Sequence, residues 1–219
     1  MAGWRGLRRR VEAIADAAAP REIVVLNAGA GTSGELERLV CLSHTNIRFD
    51  RIDVVDAVVD NPAVRNTWRC SVEKMPMAAD EAYDVVVAIW LLEHVRDLAA
   101  TLSEFRRVLR PGGFVVATVP NPIAPEFLFA RCTPTKLHRM LNANGFETHY
   151  SYHSIGALVQ LARRSGLETT EIVYSPDVAS YVTNVIPQLH SLGRGYDYVA
   201  LRLRIKSLLG QCVLSMRRL

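Results

Sequence analysis

Apolar and polar positions fall into two rhythms that alternate along the chain. Glu22–Asn27 and Tyr83–Ile89 stay almost continuously apolar, the pattern of parallel strands buried on both faces. Ile47–Ile52, Thr67–Cys70, Phe114–Val119 and Glu168–Tyr174 read as further strands. Between them the apolar residues recur at helical spacing. Trp4, Leu7, Val11, Ile14 and Ala18 predict a helix over 4–18, ended by Pro20 and read either as a lid or as a helix packed on the sheet edge. Leu98, Leu102, Phe105 and Leu109 predict a second, stopped by Pro111-Gly112-Gly113, and Ser154–Ser165 a third, ended by Gly166. Strands and helices in this order predict an α/β fold with a doubly wound parallel sheet. The tail is ambiguous, because Val199, Leu201, Leu203 and Ile205 alternate with Arg202, Arg204 and Lys206 like a strand.

Length and charge narrow the picture. A chain of 219 residues buries roughly 70% of its unfolded surface, so it needs no disulfide or metal staple. Cys41, Cys70, Cys132 and Cys212 stand far apart, which reads as reduced, structural thiols in a cytoplasmic setting; a reactive Cys70 is the other reading. Glu12 and Asp16 interrupt what would be the apolar core of a signal peptide. Of 26 bases, nine lie in residues 1–10 and 199–219 with no acid among them, leaving 17 against 22 acids elsewhere. Basic ends suit a membrane surface or nucleic acid, or are solvated faces. No stripe of interleaved aromatic and basic residues of the kind single strands require is present, so nucleic acid is not expected as a partner.

The chemistry centres on the segment after the first strand, where Gly29, Gly31 and Gly34 spell G-x-G-x-x-G and a short helix-like stretch follows. Such a turn lets backbone approach a ligand, and the helix behind it offers unpaired N–H groups. Asp53 lies 24 residues after Gly29, just past the second strand, where an acid accepts hydrogen bonds from a ribose diol. Asp56 is the second choice there, and Asp50 and Asp60 crowd the same region.

From Val25 to Asn121 the chain resembles a class I S-adenosylmethionine-dependent methyltransferase of the small-molecule group. The segments that carry the resemblance are Val25–Gly31, Asp53, Ser71–Pro76, Ala82–Val86 with Leu92-Glu93-His94-Val95, and Arg107–Gly113. The resemblance implies S-adenosyl-L-methionine as cofactor, a Rossmann-like, doubly wound, mostly parallel sheet of seven strands with an antiparallel last strand at Gln211–Arg217 after a helix, and a single domain over 1–219. Within it, 22–119 would be the cofactor half, 120–153 a lid and substrate insertion, and 154–219 the rest of the sheet. It also implies the site. Asn27, Ala28, Gly29, Ala30 and Gly31 would pass the methionyl and ribose part, and Asp53 with Val54 would hold the ribose. Ser71 and Val72 would lie along the adenine, and Ile89 and Trp90 would flank the methionyl group with His94 nearby. The chain departs from the pattern at Asn27 and Ser71, where the family carries acids, and at Ser33, where the third glycine belongs. Each neutral hydrogen bond in place of a charged one costs about 1 kcal/mol, so weakened binding is expected.

The long insert Pro120–His153 at the ligand end is expected to be lid and substrate wall, with a helix from Thr133 to about Leu141. Asn121, Arg131, His138, His149 and Tyr150 are its candidate substrate contacts. For a hydroxyl acceptor the reaction needs positioning and a base, and His94 and His138 are the candidates; the other reading of His94 is that it shapes the pocket. No His and carboxylate spacing suits a metal. Three functions are weighed. The first is methylation of a small molecule, oxygen before nitrogen, in bacterial natural-product biosynthesis, the arginine-rich composition (23 Arg to 3 Lys) suggesting a GC-rich genome. The others are an inactive methyltransferase-fold partner and a lipid or quinone enzyme at the membrane surface.

Overall fold

The first apolar run becomes β1 (Ile23–Ala28), buried along its whole length. The computed structural model describes residues 2–56, 59–125, 127, 148–149, 151–180 and 187–219. The elements around β1 are α1 (Ala2–Ala18), α2 (Glu35–Cys41), β2 (Ile47–Asp53), β3 (Val64–Arg69), β4 (Tyr83–Ile89) and α3 (Leu98–Val108). They are followed by β5 (Leu109–Pro120), α4 (Ile155–Arg164), β6 (Leu167–Ser175), α5 (His190–Leu203) and β7 (Gln211–Arg218). Among the described residues seven strands form one sheet, in the order β3-β2-β1-β4-β5-β7-β6. β1 to β5 are parallel neighbours, and β7 runs antiparallel to β5 and to β6.

Two apolar layers explain the shape. On one face Leu7, Val11 and Ala15 of α1 join Leu36 and Val40 of α2 over Val25, Val85, Val87 and Val116. On the other, Leu102 and Phe105 of α3 and Leu158 of α4 cover Leu26, Val86, Ala88 and Val115. The central strands therefore have no polar face, as their continuous apolarity requires. β1 lies between β2 and β4, with α2 and α3 on opposite faces, so the strand order reverses there and a crevice opens at the carboxyl ends of the strands. Below it, Asp84 on β4 accepts from the Val24 N–H at 2.9 Å and pairs with Arg21 and Arg110.

Three expectations change. α1 packs on the face of β5 and β7 rather than at an edge, because its stripe Leu7, Val11 and Ala15 is fully buried there. Pro111-Gly112-Gly113 does not separate helix from strand: β5 starts at Leu109, and its register against β4 jumps from Tyr83–Leu109 to Val85–Phe114, so the segment bulges within the strand. β3 begins at Val64 rather than Thr67, and β2 includes Asp53 as its last residue. The tail is as the resemblance implies: the alternating stretch up to Leu203 is helical, capped by Arg204 in the left-handed region (φ 54°), and the antiparallel β7 follows. Thr133–Leu141 lies outside the described residues. No described helix is long and apolar enough to cross a membrane.

Candidate functional site

After β1 the chain leaves the sheet through two residues with positive φ, Gly29 at 67° and Gly31 at 59°. L side chains enter this region only at a cost. The N–H groups of Gly29 and Ala30 both donate to the Ile52 carbonyl, at 2.8 and 3.1 Å, which ties the turn to the end of β2. The Gly31 N–H donates to Asp53 Oδ2 at 2.7 Å, and Asp53 Oδ1 accepts from the Val55 N–H at 3.0 Å. A Cβ on Gly29 would lie 2.7 Å from Leu91 Cδ1, whereas one on Gly31 would meet nothing within 4 Å. Gly31 thus faces open space.

That space is a cavity of about 420 Å³, a volume within the small-molecule range of roughly 300–1,000 Å³. Gly29, Gly31, Asp53 and Val54 form one side, Ser71 and Val72 a second, and Trp90, His94 and His149 a third. Cys70, Glu73, Leu91, Val95 and Arg96 complete the lining. Every one of these residues follows, or closes, a strand's carboxyl end or comes from the segment before α4. Of the four aspartates in the β2 region, Asp53 lines the cavity. Asp50 is buried against Arg65, Asn66 and Tyr83, and Asp56 is paired with Arg69 at the surface.

The set fits a nucleoside-bearing ligand. Each Asp53 oxygen already accepts one N–H, yet each keeps a second lone pair, enough for two hydroxyl donors. Ser71 Oγ accepts from the Glu73 N–H at 3.2 Å and retains acceptor capacity in the same way. Trp90 holds φ at 51°, rare for a bulky residue, with its N–H bound to the Thr118 carbonyl at 3.0 Å. The next loop is fixed by Glu73 Oε1, which accepts from the N–H groups of Arg96 and Asp97 at 2.7 and 3.0 Å. The Glu93 carbonyl accepts from the His149 N–H at 2.9 Å, and so brings His149 beside His94. Burial pushes the Cys70 thiol up, with Glu104 adding to the shift, so the reactive-thiolate reading of Cys70 is not supported.

Several expected site residues lie elsewhere. Asn27 and Ala28 are buried in the sheet behind the turn and do not line the cavity; Ala30 turns its carbonyl away from it, toward Arg51. Ile89 does not reach the cavity either: strand alternation sends it to the α1 face with Val85 and Val87, opposite Trp90. Asn121 is not a cavity residue. It is 1% exposed, and its Nδ2 donates to the Lys206 and Leu209 carbonyls at 3.0 and 2.9 Å, so it tethers the approach to β7. Arg131, His138 and Tyr150 lie outside the described residues. Among the described residues no three His, Cys, Asp or Glu side chains are grouped to hold a metal ion.

Two charged residues behind the turn went unrecognised from sequence, Glu37 and Arg51. The available signal was Arg51 itself, a charge in the interior of a strand whose neighbours Phe49 and Ile52 are fully buried.

Comparisons with known proteins agree with this geometry. A family model described as a methyltransferase domain matches residues 3–172. A protein from Nitrosospira multiformis named ubiquinone biosynthesis O-methyltransferase is 29% identical over 132 residues, 60% of this chain and 52% of that protein. The chain spans about half the length of the curated relatives it matches. Among solved structures, an S-adenosylmethionine-dependent methyltransferase from Mesorhizobium loti aligns with a TM-score of 0.62 at 18% identity, covering 93% of this chain and 95% of that one. A 1,6-didemethyltoxoflavin-N1-methyltransferase from Burkholderia thailandensis aligns with a TM-score of 0.57 at 18% identity, covering 97% and 78%. At these identities the two structures establish the shared fold.

Proposed function

The chain belongs to the class I S-adenosylmethionine-dependent methyltransferases, and from that premise we propose that it methylates a hydroxyl oxygen of a small organic molecule. The observation that carries the reading is the pair of imidazoles, His94 and His149, that line the same cavity as Asp53. The cofactor supplies an activated methyl group. Asp53 accepts the ribose hydroxyls, the turn at Gly29 and Gly31 lets the backbone run alongside, and Ser71 with Val72 borders the adenine. Trp90 and Leu91 keep water from the reacting end. His94 takes the proton that the acceptor hydroxyl gives up, as a base whose ordinary pKa lies near neutrality. The curated relatives named O-methyltransferases favour oxygen over nitrogen.

Incubation with S-adenosylmethionine and matched panels of phenols, aliphatic alcohols and amines, followed by mass spectrometry, tests the reading. Methylated hydroxyl products, lost in His94→Asn with cofactor binding retained, are the expected result. Methylation confined to the amines would refute it.

A second reading, an apolar quinone-like or lipid acceptor met at a membrane surface, is favoured by α5. Leu192, Tyr198, Val199, Leu201 and Leu203 are exposed there, beside the exposed Arg194, Arg202 and Arg204. The acid in that helix, Asp197, is turned inward onto the N–H groups of Val178 and Ala179. Apolar and cationic residues without an outward acid suit an anionic bilayer. Flotation with phosphatidylglycerol vesicles but not with phosphatidylcholine vesicles would support it, and equal flotation with neither would rule against it.

A further inference from the structure

The turn that lines the cavity is held from behind by a buried ion pair. Arg51 on β2 is 1% exposed and Glu37 on α2 is 0% exposed. The Arg51 guanidinium donates to the Ser33 carbonyl through both terminal nitrogens at 3.0 Å, to the Gly31 carbonyl at 3.1 Å and to the Ala30 carbonyl at 3.3 Å. It also donates to Glu37 Oε1 at 2.5 Å, and the same oxygen accepts from Asn27 Nδ2 at 2.8 Å. Carbonyl and N–H of a trans peptide point in opposite directions. Arg51 therefore holds the Ala30–Gly31 peptide by its carbonyl while Asp53, two residues on along β2, takes the N–H of the same peptide.

We infer that the Glu37–Arg51 pair is the positioning device of the cofactor turn, and that Asn27 is neutral because Glu37 supplies the negative charge beside it. Both Glu37 and Arg51 act through the backbone, without lining the cavity. The inference rests on the S-adenosylmethionine assignment. It reverses what Asn27 means. Taken alone, an amide where the resemblance implies an acid suggests a weakened site. Here an acid at that position would face Glu37 at hydrogen-bond distance, lose the donated N–H, and place two carboxylates on one guanidinium. Like charges so close cannot both ionise without cost, and burial removes the water that would soften it. Asn27→Asp, which supplies the acid that the resemblance implies, is then damaging rather than curative.

Calorimetry with S-adenosylmethionine on the full chain tests this, using Asn27→Asp, Glu37→Gln, their double variant and Arg51→Lys, with urea unfolding run on each. Each single change is expected to weaken binding by about tenfold or more, a loss of about 1.4 kcal/mol. Arg51→Lys keeps the charge but not the fork that reaches three carbonyls. The double variant restores one carboxylate per guanidinium and is expected to recover most of the loss, a non-additivity that independent structural damage would not produce. Asn27→Asp is close to isosteric, so it carries the test if Glu37→Gln does not fold. Unchanged or tighter binding by Asn27→Asp overturns the proposal. So does a double variant whose loss is the sum of the singles, or lowered stability with unaltered affinity. Absence of binding by the unmodified protein would instead overturn the cofactor assignment, and this proposal with it.

Discussion

Glu93 provides a sharp test because its carboxyl is buried at 4% exposure with Oε2 lacking any hydrogen-bond partner among the described residues. His94 Nε2 stands 4.0 Å from Oε1, too far for a hydrogen bond. Burial therefore dominates and pushes the carboxyl from 4.5 up to about 8, opposed only by a backbone hydrogen bond. A raised acid keeps its proton in the folded state after the unfolded chain has lost it. Unfolding between pH 4.5 and 8 then releases a proton, so stability falls as pH rises through that window and levels off above it. At about 1.4 kcal/mol per unit the accumulated cost is roughly 1 kcal/mol at pH 5, 3 at pH 7 and 4–5 at pH 8.5. Glu93→Gln matches the neutral acid in shape and removes the titration. Urea unfolding of both proteins at pH 5, 7 and 8.5 gives the difference directly, since the other groups cancel. The variant should be nearly equal in stability at pH 5 and more stable by several kcal/mol at pH 8.5. A difference that stays flat with pH would refute the reasoning, because it would mean that the carboxyl is solvated or paired in the folded protein.

Four further outcomes separate binding from stability. Gly31→Ala places a methyl group in open cavity at positive φ, so it should cost about 1–2 kcal/mol in stability and a larger share of S-adenosylmethionine affinity by calorimetry. Gly29→Ala adds a clash with Leu91, so it should cost more in urea unfolding than Gly31→Ala; the reverse order would contradict the packing. Asp53→Ala removes both the proposed ribose acceptor and the bond that fixes the Gly31 N–H, and should weaken cofactor binding by about 2 kcal/mol or more, as expected for a charge-assisted site. Asn121→Ala should lower stability by about 1–3 kcal/mol, by removing the Nδ2 bonds to the Lys206 and Leu209 carbonyls, of which Lys206 keeps the Leu209 N–H at 3.2 Å, and change cofactor affinity little; a large affinity loss at unchanged stability would return Asn121 to the site.

Much of this protein is legible in one dimension. The order of the elements follows from apolar runs and helical spacing, because a strand buried on both faces or a helix on a sheet must show that pattern locally. The glycine turn and Asp53 are legible for a related reason. Positive φ favours glycine, and the doubly wound topology puts the end of every parallel strand on one edge, so residues after strands converge without further specification.

What needed the tertiary structure is each feature whose meaning depends on a distant neighbour or on a phase. Ile89 and Trp90 are adjacent, and only the packing of β4 decides which of them faces the cavity. The tail alternates like a strand, yet α5 forms there, with Asp197 capping the segment before it and Arg204 ending the helix in the left-handed region. Asn121 belongs to the approach to β7, contacts 85 and 88 positions away in sequence. Asn27 is the clearest case. Its sequence context marks a missing charge, and the charge is found on α2, shared with a guanidinium from β2, because electrostatic balance in a buried site is set by distance in space rather than by position in the chain.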